Sequence, residues 1–344
     1  MESTMIAMKP INLRIHLSVL LIAASVGQLL AAPGVVYEGS TGPGMGKHIV
    51  LLSGDEEYRS EEAMPMLGKI LAVRHGFKCT VLFAINPTNG CIDPNTVNHL
   101  PGLDALDSAD LCIMLLRFRQ LPDEQMRHFV QYVESGKPVI ALRTSTHAFN
   151  YGNDSRSAYA RYGWQNKDWP GGFGQQVLGE TWINHHGNHG KESTRGIVNS
   201  TFQTHPILRG VSDIWGPTDV YGVIHLPADA HVLVWGQVLS GMNPTDPPVA
   251  GKKNDPMMPL AWIRDYPGAQ GKTSKIFTTT MGASVDLTSE GLRRLLINAS
   301  YWAVGLEDKI PARNDVAYVG AYEPTYFGFG KYTKGLKPAD HALK

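Results

Sequence analysis

The chain has 344 residues, and 31 Lys plus Arg balance 31 Asp plus Glu. No basic excess is available to coat nucleic acid, so no nucleic-acid partner is expected. Hydrophobic residues at 43% and charged residues at 18% exclude bulk disorder and allow a sizeable core.

Lys9 and Arg14 precede an apolar run at 17–32 that Pro33-Gly34 breaks. A basic start, a short apolar core and small residues at Ser25-Val26-Gly27 or Ala31-Ala32 read as a secretory signal over 1–32. The alternative is an uncleaved anchor, because the run is near the lower length limit of a spanning helix. The expectation is a secreted or periplasmic protein with no membrane span after cleavage. Residues 33–46 read as a Gly-rich linker.

Residues 48–52 (HIVLL) are the first expected strand, ending in the polar loop Asp55-Glu56-Glu57-Tyr58-Arg59. Ser60 opens a helix whose Met64, Leu67, Ile70 and Leu71 recur at helical spacing, and Gly76 ends it. Strands follow at 80–84 and 111–116, the latter ending at Arg117-Phe118-Arg119. Pro122-Asp123-Glu124 starts a second helix with the proline and acids that helix N-termini favour. Its stripe is Met126, Phe129, Val130 and Val133, and Gly136 closes it. The next strand, 138–142 (PVIAL), stops at Arg143-Thr144-Ser145-Thr146-His147. Cys79 and Cys112 lie in apolar runs and read as small buried hydrophobes, and Cys91 lies in a loop. Three cysteines do not make a disulfide framework.

Alternation of strand and helix predicts an α/β fold, a mostly parallel sheet with helices on both faces, in one domain over 47–305. From 150 to 195 the periodicity breaks down in a stretch rich in Gly, aromatics and His, the kind of long excursion that serves as a lid or binding loop. Later strands are expected at 232–238, 260–263 and 275–280. Leu292, Leu295, Leu296, Ala299 and Ala303 give a last helix. Residues 306–344 read as a C-terminal extension over the surface.

In an open parallel sheet, ligands bind outside the carboxyl ends of the strands. That edge collects the candidate residues. Glu57 and His147 are candidate proton carriers, Arg143 a candidate for orienting substrate, and Thr144 a nucleophile if a base stands beside it. Asp55, Glu56, Arg117 and Arg119 are candidate substrate ligands, with Trp182 and His185 from the long excursion. Aromatic rings there suit the C–H faces of sugars. His185, His186 and His189 could hold a divalent metal such as zinc, move a proton, or merely shape the loop. There is no H-E-x-x-H, G-x-S-x-G, G-x-G-x-x-G or P-loop, and no Cys at the central strand end. Zincin, serine or cysteine acyl-transfer and nucleotide chemistry therefore lack support.

Several segments together resemble the ThuA-like (trehalose-utilisation) family, within the class I glutamine amidotransferase-like superfamily. They are HIVLLSGDEEYR, PVIALRTSTHAF, THPILRGVSDIWGPTDVY at 204–221, PLAWIRDY, KIFTTTMGAS and LLINASYWAVGLE. The resemblance implies a flavodoxin-like sheet and a role in catabolism of oxidised (keto) disaccharides. Arg143 stands where amidotransferases carry their nucleophilic Cys, and Gly282-Ala283 replaces a Gly-His pair common in the family, so glutaminase chemistry is not implied. The expected partner is a small-molecule carbohydrate handled by a hydrolase or isomerase using acid–base chemistry. A non-catalytic carbohydrate- or partner-binding module and a metal-dependent hydrolase stay open, as does self-association.

Overall fold

A computed structural model describes Met1 and residues 33–152, 155–269 and 271–343. The expected secretory signal lies outside the described residues but for Met1. The parallel block comprises β2 (His48–Gly54), β3 (Lys78–Phe83), β4 (Leu111–Leu116), β5 (Val139–Leu142) and β10 (Thr273–Thr279). They stand in the order β3-β2-β4-β5-β10 with parallel pairing throughout. Counted along the chain this is 2-1-3-4-5, the flavodoxin-like order. Every residue of β4 and β5 is buried, which a strand covered on both faces requires and which their unbroken apolar runs supply.

Successive residues of one strand go to opposite layers, as the pleat dictates. Ile49 and Leu51 join one core cluster with Leu67 and Ile70 of α1 (Ser60–His75) and Leu292 and Leu295 of α3 (Glu290–Ala303). Val50 and Leu52 join another with Met126, Phe129 and Val133 of α2 (Asp123–Glu134). Helices thus cover both faces. Gly76 ends α1 at φ 80°, and its N–H donates to the carbonyls of Leu71 and Ala72. The Ser289 hydroxyl accepts from the Leu292 N–H to cap α3.

Beyond β10 the sheet continues antiparallel through β9 (Met258–Pro267), β8 (His231–Val238), β6 (Thr194–Val198) and β7 (Ile214–Gly216). The last two are short and had no signal of their own. Three segments differ from expectation. The linker at 33–46 contains β1 (Gly34–Tyr37), antiparallel to β3, and the Tyr37 hydroxyl donates to the His341 carbonyl at 2.8 Å. Residues 306–344 bury Ile310, Val316 and Phe327 rather than only lying over the surface. The 150–195 excursion is not a detached lid: Tyr162, Phe173, Val177 and Leu178 pack into the α2-side core. The described residues from 33 onward form one compact unit. No helix among the described residues is long and apolar enough to cross a membrane.

Candidate active site

The order of the parallel block reverses between β2 and β4, and a crevice opens there. The loop after β2 supplies Glu57 and Tyr58, the end of β4 supplies Arg117 and Phe118, and the turn after β5 supplies His147. Trp182, His185 and Tyr221 close the other side. Together they line a cavity of about 40 Å³. Sites for drug-sized ligands run to ~300–1,000 Å³, so only the reacting part of a ligand enters without the walls moving.

Arg143 sits behind this cavity. It is a non-glycine residue at φ 41° on the sharp turn from β5 into a 3-10 turn, a conformation that costs about 1–3 kcal/mol unless its surroundings enforce it. They do. The side chain is fully buried, and its guanidinium donates to Asp219 Oδ1 at 2.9 Å, to the Thr280 carbonyl at 2.8 Å and to the Tyr58 hydroxyl at 3.2 Å. Its planar head lies between the rings of Tyr58 and Tyr221, 4.3 Å from each centroid.

Asp219 passes this order outward. Its Oδ2 meets His185 Nδ1 at 2.7 Å and its Oδ1 meets His189 Nδ1 at 2.9 Å. His189 Nε2 then reaches Glu57 Oε1 at 3.4 Å. The result is a chain from Arg143 through Asp219 and His189 to Glu57, with His185 as a second branch. Hydrogen bonds to Asp219 and Glu57 raise His189 to about 9. Burial works against ionised Asp219, but Arg143 and the two histidines outweigh it and hold the carboxyl well below the usual range. Burial likewise opposes ionised Glu57, while the hydrogen bond from His189 and the charges of Arg117 and Arg143 keep it low. Burial, assisted by Arg117 and Arg143, pushes His147 well below an ordinary imidazole, so it is uncharged. Its ring packs among Phe118 at 5.0 Å, Trp182 at 5.6 Å and Tyr221 at 6.4 Å.

Of the residues singled out from sequence, Glu57, Arg117, His147, Trp182 and His185 line the cavity, and His189 joins them through Asp219 and Glu57. The others are corrected. Arg143 does not line the cavity: its side chain is fully buried against Tyr58 and Tyr221, which do. Thr144 is fully buried and does not line the cavity, so its hydroxyl, although it donates to Asp55 Oδ2, is not offered to a ligand. Asp55 spends its other oxygen on the backbone N–H groups of Glu57 and Tyr58. Glu56 is paired with both Arg117 and Arg119, and Arg119 also donates to the carbonyls of Pro94, Thr96 and Arg117. His186 turns away and bonds the Lys253 carbonyl, so it is not part of a metal set with its neighbours. Asp55, Arg119, Arg143 and Thr144 are buried at the edge of the sheet, where polar groups are driven to find internal partners.

Sequence reasoning missed Asp219, Tyr221 and the C-terminal strap. Asp219 and Tyr221 lie in the 204–221 segment that carried the family resemblance, and no periodicity marks them. Phe327 packs on Tyr58 at 5.4 Å and on His189 at 5.3 Å. The Gly328 N–H donates to the Glu57 carbonyl at 2.8 Å, and Phe329, 60% exposed, lies 5.1 Å from the Arg117 guanidinium. Nothing local in the tail announces this.

A family profile described as "ThuA: Trehalose utilisation" matches residues 53–303. No curated protein matches the chain. Among solved structures, the chain resembles a ThuA-like protein from Bacteroides uniformis at 15% identity, covering 77% of this chain and 93% of that one, with a TM-score of 0.47. A ThuA-like protein from Parabacteroides merdae is also 15% identical, with 75% and 90% covered and a TM-score of 0.48. The glutaminase domain of Trypanosoma brucei CTPS is 10% identical, with 80% and 100% covered and a TM-score of 0.36. The profile runs from the end of β2 to the end of α3 and takes in every residue that lines the cavity, and the chain belongs to the ThuA family.

Proposed function

We propose that this ThuA-family protein is an exported enzyme of carbohydrate catabolism that moves protons on a sugar, in a hydrolysis or an isomerisation of a keto-glycoside or disaccharide. One observation carries the reading. Asp219 holds two imidazoles by Nδ1 while Glu57 stands across from one of them, beside a cavity walled by rings. Glu57 is the candidate base, and the His185 ring, oriented by Asp219 at Nδ1, presents Nε2 as a second group that takes up a proton and, once protonated, returns it as acid. Arg117 lends positive charge to an oxygen that gains electrons, and His147 supplies an uncharged polar wall. Trp182, Phe118 and Tyr221 offer faces for sugar C–H groups. The family description, trehalose utilisation, supports a sugar as substrate. The apolar run at 17–32 supports export. Glutaminase chemistry has no thiol in the cavity to use: Cys79 and Cys112 are buried in the sheet, and Cys91 lies in the loop after β3.

The experiment is turnover of a panel of glycosides and keto-glycosides by wild type, Glu57→Gln and His185→Ala. General acid–base catalysis contributes about 10²–10⁴-fold, and a loss of that size is expected in each variant. Equal turnover in all three proteins removes the assignment. A second reading is a carbohydrate-binding module, favoured by the smallness of the cavity and by the internal pairing of most charges at the sheet edge. Saturable glycan binding with no product formed selects it.

A further inference from the structure

We propose that His185, His189 and Asp219 form a site for a divalent transition-metal cation, with zinc as the expected ion. One donor atom from each of the three lies within 4.8 Å of the others. Ligands bound at about 2.1 Å to a tetrahedral ion stand about 3.4 Å apart, so small side-chain movements admit one. Two imidazoles and one carboxylate make the donor set of a catalytic site that leaves a position for water or substrate. His185 also lines the cavity, and His189 Nε2 stands 3.4 Å from Glu57 Oε1.

The support around the three ligands is already built. Arg143 fixes Asp219 from behind at 2.9 Å, the role that outer-shell hydrogen bonds play for metal ligands. The two ligand-bearing loops are tied by the bridge between His185 and Tyr221 and by the N–H groups of His186 and Gly187, both donating to the Val220 carbonyl. A Cβ at Gly187 would come within 3.2 Å of the Asp219 Cβ, so glycine lets the loops approach. The His185 and His189 side chains are 37% and 35% exposed, which gives an ion a way in. His186 takes no part.

This inference goes beyond the acid–base reading and does not need it, because metal uptake is read on the protein without substrate. Untagged full-length protein is stripped with EDTA, then titrated with Zn²⁺ by calorimetry and with Co²⁺ by visible absorption. Wild type should bind one equivalent and show Co²⁺ d–d bands. His185→Ala and His189→Ala should each weaken binding at least about tenfold, the loss that even an outer-shell partner can cause, and His186→Ala should not. His189→Gln, checked with His189→Ala by circular dichroism, separates ligand loss from misfolding. No stoichiometric uptake by wild type overturns the proposal, and so does uptake that the His185 and His189 variants leave unchanged.

Discussion

Two groups of polar residues meet at the carboxyl edge of the sheet, and they have opposite fates. The inner group, Asp55, Glu56, Arg119, Arg143 and Thr144, comes directly from the strand ends. Its members are engaged with one another, with other buried side chains or with backbone groups. The outer group, His185 and His189, comes from an irregular excursion, remains over a third exposed, and connects to Arg143 of the inner group through Asp219, with His189 also reaching Glu57. A strand end is a poor place for a free charge when neighbouring strands bury it on both sides, because an unpartnered buried ion is too costly. Loops that arrive from far along the chain keep one side in solvent and can offer a group to a ligand.

The comparison predicts that inner variants cost stability and outer variants cost function. The largest effect belongs to Arg143→Met, which leaves Asp219 buried without its guanidinium. Breaking such a pair costs about 3–5 kcal/mol, measured as a shift in the urea unfolding curve, and a loss below about 1 kcal/mol breaks the distinction. Thr144→Val comes next. It removes the donor to Asp55 Oδ2, and an unsatisfied buried acceptor costs about 1–3 kcal/mol. Thr144→Ser should restore most of that stability, which a nucleophile's role would not require.

A third prediction concerns pH. Glu61 lies fully inside beside Arg59, 3.6 Å from its Nε, and burial raises it to about 7, with Arg59 opposing and Glu62 and Asp55 adding to the rise. The folded protein therefore holds this proton more tightly than the unfolded chain does. The stability it contributes is complete below the ordinary carboxylate range and is lost as pH rises through 7. Urea midpoints between pH 5.5 and 8.5 should fall less steeply for Glu61→Gln than for wild type, and identical slopes would refute the assignment. The smallest stability effect belongs to His185→Ala. Exposed positions shift stability within about 0.5 kcal/mol, so its thermal midpoint should stay near wild type while turnover is lost. A large drop in that midpoint would place His185 in the inner group.

Legibility followed the range of the interactions. The apolar runs at 48–52, 80–84, 111–116 and 138–142 became β2 to β5 because strands buried on both faces need unbroken hydrophobic sequence. Strands β1, β6 and β7 were not legible, since three to five residues carry little pattern and pair only because a neighbour's edge is there. The gathering of Glu57, Arg117 and His147 followed from the parallel topology alone. The part played by each did not.

The chain by itself determined the parallel block, its helical cover and the edge where a site must lie, because these rest on local periodicity and on the fixed hand of strand–helix–strand crossovers. Only the tertiary structure decided which charges are spent and which are free. Arg143 finds partners 76, 85 and 137 residues away, at Asp219, Tyr58 and Thr280, and the tail from residue 327 onward reaches back to Glu57. Whether a polar side chain faces a ligand or a neighbour depends on what the fold packs against it, and no window of sequence contains that neighbour.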